Sequence, residues 1–300
     1  MKLKRKDSVP AAVERVVRKR IASALQIIYG KPEALIEDAA VHKARNQLKR
    51  SRGVLRLVRE DLGRKRFARA NRRLRDASRP LSDLRDATVL IDTWDDLCNK
   101  ESIHSGSLEH IRVALEGRRR RVRKRVMKDR GMRKVMVKRL RRASGSIARW
   151  SHTHHGWNTI AAGLRRTYRR GRAAMEAAVQ DSSDAAFHES RKRAKDLLYA
   201  AEFIVNVRPE SIQPIIDDAH AFTDLLGDDH DFAVLQDVID KELELRLSAA
   251  QRSRIKRLVS RRRRNMQQHA CELGRRLYAP TEATFVTRIH EYWKAWRHTR

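Results

Sequence analysis

The chain has 300 residues, 41% of them hydrophobic, and sets 69 Lys plus Arg against 37 Asp plus Glu for a formal net charge of +32. That apolar content is enough for a core in a chain of this length, which excludes a disordered basic tail. A charge so far beyond what solubility needs asks for a polyanionic partner. The two cysteines, Cys98 and Cys271, have no metal-ligand spacing and suit a reducing compartment better than a disulfide scaffold.

In chain order, the basic front MKLKRKDSVP leads into a charged segment, so it does not read as a secretory signal. No apolar run anywhere approaches the roughly 18 residues of a membrane span. A soluble cytoplasmic protein without membrane association is expected. Ser8 before Val9 and Pro10 marks the start of a first helix that stops at Gly30. A second helix is expected over about 35–60, a turn at Gly63, and a third helix over about 67–97 with a bend near Pro80. Residues 98–107 read as a polar loop. A fourth helix carries LEHIRVALEGRRRRVRKRVM, and a fifth follows Gly131 to Trp150.

The polar stretch SHTHHGWN, 151–158, is the candidate linker between two halves. His152, His154 and His155 lie in it with no carboxylate or cysteine, so a linker is a better reading than a metal site. The second half repeats the order: a helix to about Val179, one carrying His188 to Val207, short segments around Pro209 and Pro214, one carrying His230, and two more. Valine and isoleucine sit singly at helical spacing rather than in alternating runs, so the fold class is all-α, with no β-sheet.

Two stripes share the helix around residues 40–60. At roughly 100° per residue, His42, Arg45, Lys49, Arg52, Arg56 and Arg59 fall on one arc, beside Ala44, Leu48, Ser51, Leu55 and Val58. One side can enter a core while a ladder of hydrogen-bond donors runs next to it. His188, Arg191 and Lys195 repeat the spacing of His42, Arg45 and Lys49. LGDDHDFAVL (226–235) then repeats LSDLRDATVL (81–90), and Arg261 to Arg264 with Trp293 repeat Arg118 to Arg121 with Trp150. Three ordered matches at nearly one offset imply internal duplication: two tandem four-helix-bundle-like repeats, at 9–150 and 159–297, within one domain spanning 9–297.

These motifs resemble the CHAD family, whose pattern is a helical His-x-x-Arg-x-x-x-Lys followed by Leu-x-x-x-(Arg or His)-Asp-x-x-Val-Leu in each of two repeats. His42, Arg45, Lys49 with Arg85, Asp86, Val89, Leu90 fit it, as do His188, Arg191, Lys195 with His230, Asp231, Val234, Leu235. The resemblance implies a pair of four-helix bundles that bind inorganic polyphosphate without catalysis or cofactor, associated with polyphosphate granules. It also implies a stand-alone CHAD domain, since the catalytic triphosphate-tunnel (CYTH) domain that often accompanies it is absent. Glu242 and Glu244 only superficially resemble that domain's Glu-x-Glu-x-Lys signature.

The implied ligand contacts are His42, Arg45, Lys49, Arg50, Arg52, Arg85, His188, Arg191, Lys192, Lys195 and His230. A polyphosphate chain offers only repeated phosphoryl oxygens, so many aligned Lys and Arg donors suit it. Arginine can fork two oxygens, lysine acts as a point charge, and histidine donates neutral or charged. Further phosphate contacts are expected from Arg118, Arg121, Arg165, Arg169, Arg261 and Arg264, in runs that wrap around their helices so that some side chains face only solvent. Asp86 and Asp231 read as anchors for neighbouring basic side chains.

Two alternatives remain at this stage. Charge alone supports non-specific nucleic-acid binding, although aromatics are 5% and do not interleave with the cationic stripes. His188 with His230 and Asp231 could hold a catalytic metal. Arg85, at the position matching His230, is no metal ligand, and the shared capacity of the two is donation. No glycine-rich phosphate loop is present.

Overall fold

The computed structural model describes residues 2–29, 38–101, 108–128, 130–150, 155–242 and 247–298. Glu244, His152 and His154, the side chain of Glu242 and most of the 98–107 loop lie outside the described residues. Among the described residues every regular element is helical.

Helix α1 (Val9–Tyr29) buries Val9, Val13, Val16, Val17, Ile21, Ala24 and Ile28 on one face. Its first turn tolerates Pro10, and the Ser8 hydroxyl accepts from the Ala11 amide at 3.3 Å. Helix α2 (Asp38–Leu57) buries Val41, Ala44, Leu48, Ser51 and Leu55. The short α3 (Arg59–Leu62) ends at Gly63, whose φ of 76° lets the chain turn into α4 (Arg64–Lys100). The 37-residue α4 continues through Pro80. Helices α5 (Glu109–Lys128) and α6 (Arg130–Ile147) complete the first half.

The second half runs through α7 (Asn158–Asp181), α8 (Asp184–Ile204), a 3-10 turn, α9 (Pro209–Glu242), α10 (Ala249–Leu277) and α11 (Glu282–His298). Ser182 in the left-handed region (φ 52°) and the Ser183 cap on Ala186 divide α7 from α8. The expected short segments around Pro209 and Pro214 are instead the opening turns of α9. Pro209 sits where no donor is needed, and Pro214 forfeits one bond near the helix start. Burial of Ile212 and Ile216 offsets that loss.

The apolar interior falls into two clusters. The larger draws on both halves, from Val13 and Leu48 through Leu164, Leu197 and Phe222 to Trp293. The smaller packs Leu90, Ile91, Trp94 and Leu97 of α4 against Phe232, Leu235, Val238 and Ile239 of α9. On α4 the first cluster ends at Leu84 and the second begins at Leu90; on α9 they end and begin at Leu226 and Phe232. The intervening residues include the polar motif positions, Arg85 and Asp86 on α4 and His230 and Asp231 on α9. A hydrophilic layer therefore separates two hydrophobic ones.

Glycines set how closely the helices around this layer approach. A Cβ at Gly53 of α2 would lie 2.5 Å from the Tyr199 side chain of α8. At Gly163 of α7 it would lie 1.7 Å from the Leu57 carbonyl oxygen at the end of α2. These two contacts pack α2 against α8 and α7 at close range.

Candidate functional site: a cationic layer shared by the two halves

The motif side chains of the two halves converge. From α2 come His42, Arg45 and Lys49, from α4 Arg85 and Asp86, from α8 His188, Arg191 and Lys195, and from α9 His230 and Asp231. Lys49 feels Arg45 of its own helix and Arg191 and Lys195 of the other half. Asp231 likewise feels Arg191 as well as Asp86 and Arg85. Residues far apart in sequence thus share one electrostatic environment.

Arg45 donates to Ser82 Oγ at 3.1 Å and reaches the Asp86 carboxylate at 3.4 Å. Arg191 donates to the Thr223 carbonyl at 3.2 Å, and Lys195 to Asp224 at 3.3 Å. Gly227 leaves room for Arg191: a Cβ there would stand 2.9 Å from its guanidinium. Arg85 reaches Asp92 at 3.4 Å. His188 and His230 face each other with ring centroids 4.4 Å apart, and His188 Nδ1 is buried without a hydrogen-bond partner.

Like Arg191, Lys49 has no carboxylate within ion-pair distance among the described residues, and Asp86 favours its charged form only from further off. Burial, then repulsion by Arg45 and Arg191, lowers the Lys49 pKa to about 7. Burial together with His188 and Arg191 brings His230 down to about 4, and burial brings Asp231 up to about 6. Arg45 is lowered and Asp86 raised, burial being the larger cause for each, so their contact only partly offsets desolvation. The layer is a desolvated cluster in which cations outnumber well-placed carboxylates. An incoming anion would relieve its self-repulsion.

The other residues singled out in the sequence lie differently. Arg50 is engaged by Glu202 through two contacts of 2.8 Å that cross from α2 to α8. Arg52 donates to Asn71 at 2.9 Å, and Lys192 to Glu189 at 2.7 Å. Arg165 and Arg169 face Glu282 at 3.6 and 3.9 Å, and Arg261 pairs with Glu101. Arg118 and Arg121 lie on α5, and the exposed Arg264 on α10. Sequence reasoning missed Ser82, Thr223, Asp224 and Gly227. The Gly-Asp-Asp preceding His230 was the one available signal for the last of these. Among the described residues no three His, Cys, Asp or Glu side chains gather as a metal set, and no helix is long and apolar enough to cross a membrane.

A family model, that of the CHAD domain, matches residues 19–240. The chain belongs to the CHAD family. In fold it is similar to the crystal structure of the CHAD domain from the plant Ricinus communis, with a TM-score of 0.58 and 17% identity. That likeness covers 98% of this chain and 94% of the plant chain. No curated protein sequence matches it. Both halves of this CHAD protein contribute to the layer, and the family match includes every residue that forms it.

Proposed function

We propose that the layer binds inorganic polyphosphate without transforming it, and that the protein associates with polyphosphate granules in the cytoplasm. The observation that carries this reading is Lys49: a half-buried ammonium among Arg45, Arg191 and Lys195, with no carboxylate at ion-pair distance among the described residues and Asp86 acting only from further off. A chain of phosphoryl groups supplies the missing negative charge at several points at once and needs no base-reading side chains. Membership of the CHAD family supports the same ligand. The matched motifs on α2 with α4 and on α8 with α9 support an origin by duplication, which would make the layer a junction of two copies.

The binding should be linked to protons. Lys49 titrates near 7 in the unliganded protein, and a bound polyanion moves it back toward its ordinary value, so the complex holds more protons than the free protein above about pH 7. The part of the affinity linked to Lys49 is therefore fully present below pH 7 and falls as pH rises, by up to about one decade per pH unit for one linked proton. Protonation of Asp231, His188 and His230 at lower pH acts in the same direction. Titration with long-chain polyphosphate from pH 6.5 to 9.5 should show this decline, and Lys49→Arg should flatten it. A pH-independent affinity in the unaltered protein would contradict the assignment. The same incubations, with magnesium or manganese present, should release no orthophosphate; metal-dependent release would favour a phosphohydrolase instead.

A further inference from the structure

A second cluster of cations lies where α2, α3, α4, α7 and α8 meet, outside the layer. It encloses a cavity of about 170 Å3 lined by Arg56, Arg59, Arg166, Arg170 and Arg193, with Asp196, Phe67, Asn71 and Thr167 completing the wall. Arg56 lies two helical turns beyond Lys49, roughly 10 Å further along α2.

The local sequence explains the cavity. Gly163 brings the backbone of α7 against the Leu57 carbonyl. Positions 163, 166, 167 and 170 then share one helical face, so Arg166 and Arg170 arrive beside Arg56 and Arg59. Arg166 donates to the Arg56 carbonyl and pairs with Glu60. Arg56 and Arg193 both reach Asp196, at 2.9 and 3.2 Å. Arg193 also pairs with Glu189. Arg59 lies over the Phe67 ring at 5.4 Å, which holds that wall apart.

Five guanidinium groups therefore meet three carboxylates, Asp196, Glu60 and Glu189, leaving two positive charges around a space of small-molecule size. Burial and repulsion by Arg59 and Arg170 also lower Arg166, to about 10, a cost that an anion would relieve. We propose that this cavity is a binding site for one small tetrahedral oxyanion, of orthophosphate size and charge, separate from the cationic layer. Planar forks converging from four helices suit the oxygens of a tetrahedral dianion. Asp196, only 12% exposed, stands at the wall and disfavours a longer chain passing through.

The test is calorimetric titration of the full chain with orthophosphate and, separately, with sulfate. Both should bind with similar affinity, since shape and charge are what the arginines recognise. Arg59→Ala with Arg170→Ala should weaken both at least tenfold, whereas Arg254→Ala, a surface change on α10, should leave them within twofold. Arg170→Glu alone serves as a second variant, because Arg170 is exposed and not needed for packing. No saturable binding of either ion at millimolar concentration would overturn the proposal. So would binding that survives in the α3 and α7 variants but is lost in Lys49→Glu with Lys195→Glu, which would place the ion in the layer. Neither outcome counts against polyphosphate binding by the layer, which is tested separately with the long-chain polymer.

Discussion

Changing Lys49 and Lys195 together to glutamate is expected to weaken long-chain polyphosphate binding by about a thousandfold, with each single change costing at least tenfold. The two ammonium groups come from α2 and α8 and share one electrostatic environment, so each reversal removes a favourable contact and adds a repulsive one beside the other. Folding should suffer little. Lys49 is already repelled by Arg45 and Arg191, and a carboxylate in its place would be attracted to both; Lys195→Glu gives up an exposed contact with Asp224 but gains attraction to Arg191 and Arg50. Equilibrium binding alongside a thermal melt checks both halves of the statement. A single reversal that left affinity unchanged in a folded protein would remove that half of the chain from the site.

The second large effect is structural. Gly163→Ala should destabilise the protein by about 3 kcal/mol or more, because its Cβ would lie 1.7 Å from the Leu57 carbonyl oxygen. The obstructing atom is backbone, so no side-chain rotation can relieve the clash, and α7 must move away from α2. Gly53→Ala meets only the Tyr199 side chain and should cost less. Urea unfolding of the two variants against the parent measures the difference. A cost below about 1 kcal/mol for Gly163→Ala would show that α7 can shift without disturbing its packing.

The alignment of each motif copy along one helix face could be anticipated from sequence because it rests on local spacing. His42, Arg45 and Lys49 recur as His188, Arg191 and Lys195, and a helix forces such residues onto one face. The periodicity likewise located α1, α2 and α8 closely. What the sequence withheld depends on how helices cross. Arg50 reads like its neighbours in the stripe, yet its partner Glu202 lies on another helix far along the chain. Arg56 and Arg59 continue the same stripe but leave the layer and line the α7 cavity, because Gly163 draws α7 in at the end of α2. The continuity of α9 through Pro214 was hidden for a similar reason. A proline reads as a break until the burial of Ile212 and Ile216 beside it is known.

The central claim is that the layer recognises a flexible phosphate polymer and not a nucleic acid, and competition between the two tests it most directly. The protein is bound to labelled DNA at moderate salt and then challenged with long-chain polyphosphate at matched phosphate concentration. The account predicts displacement by polyphosphate that requires Lys49 and Lys195, since the layer offers cations but no exposed aromatic platform for bases. DNA that resists polyphosphate, and that displaces it in the reverse experiment, would contradict the account.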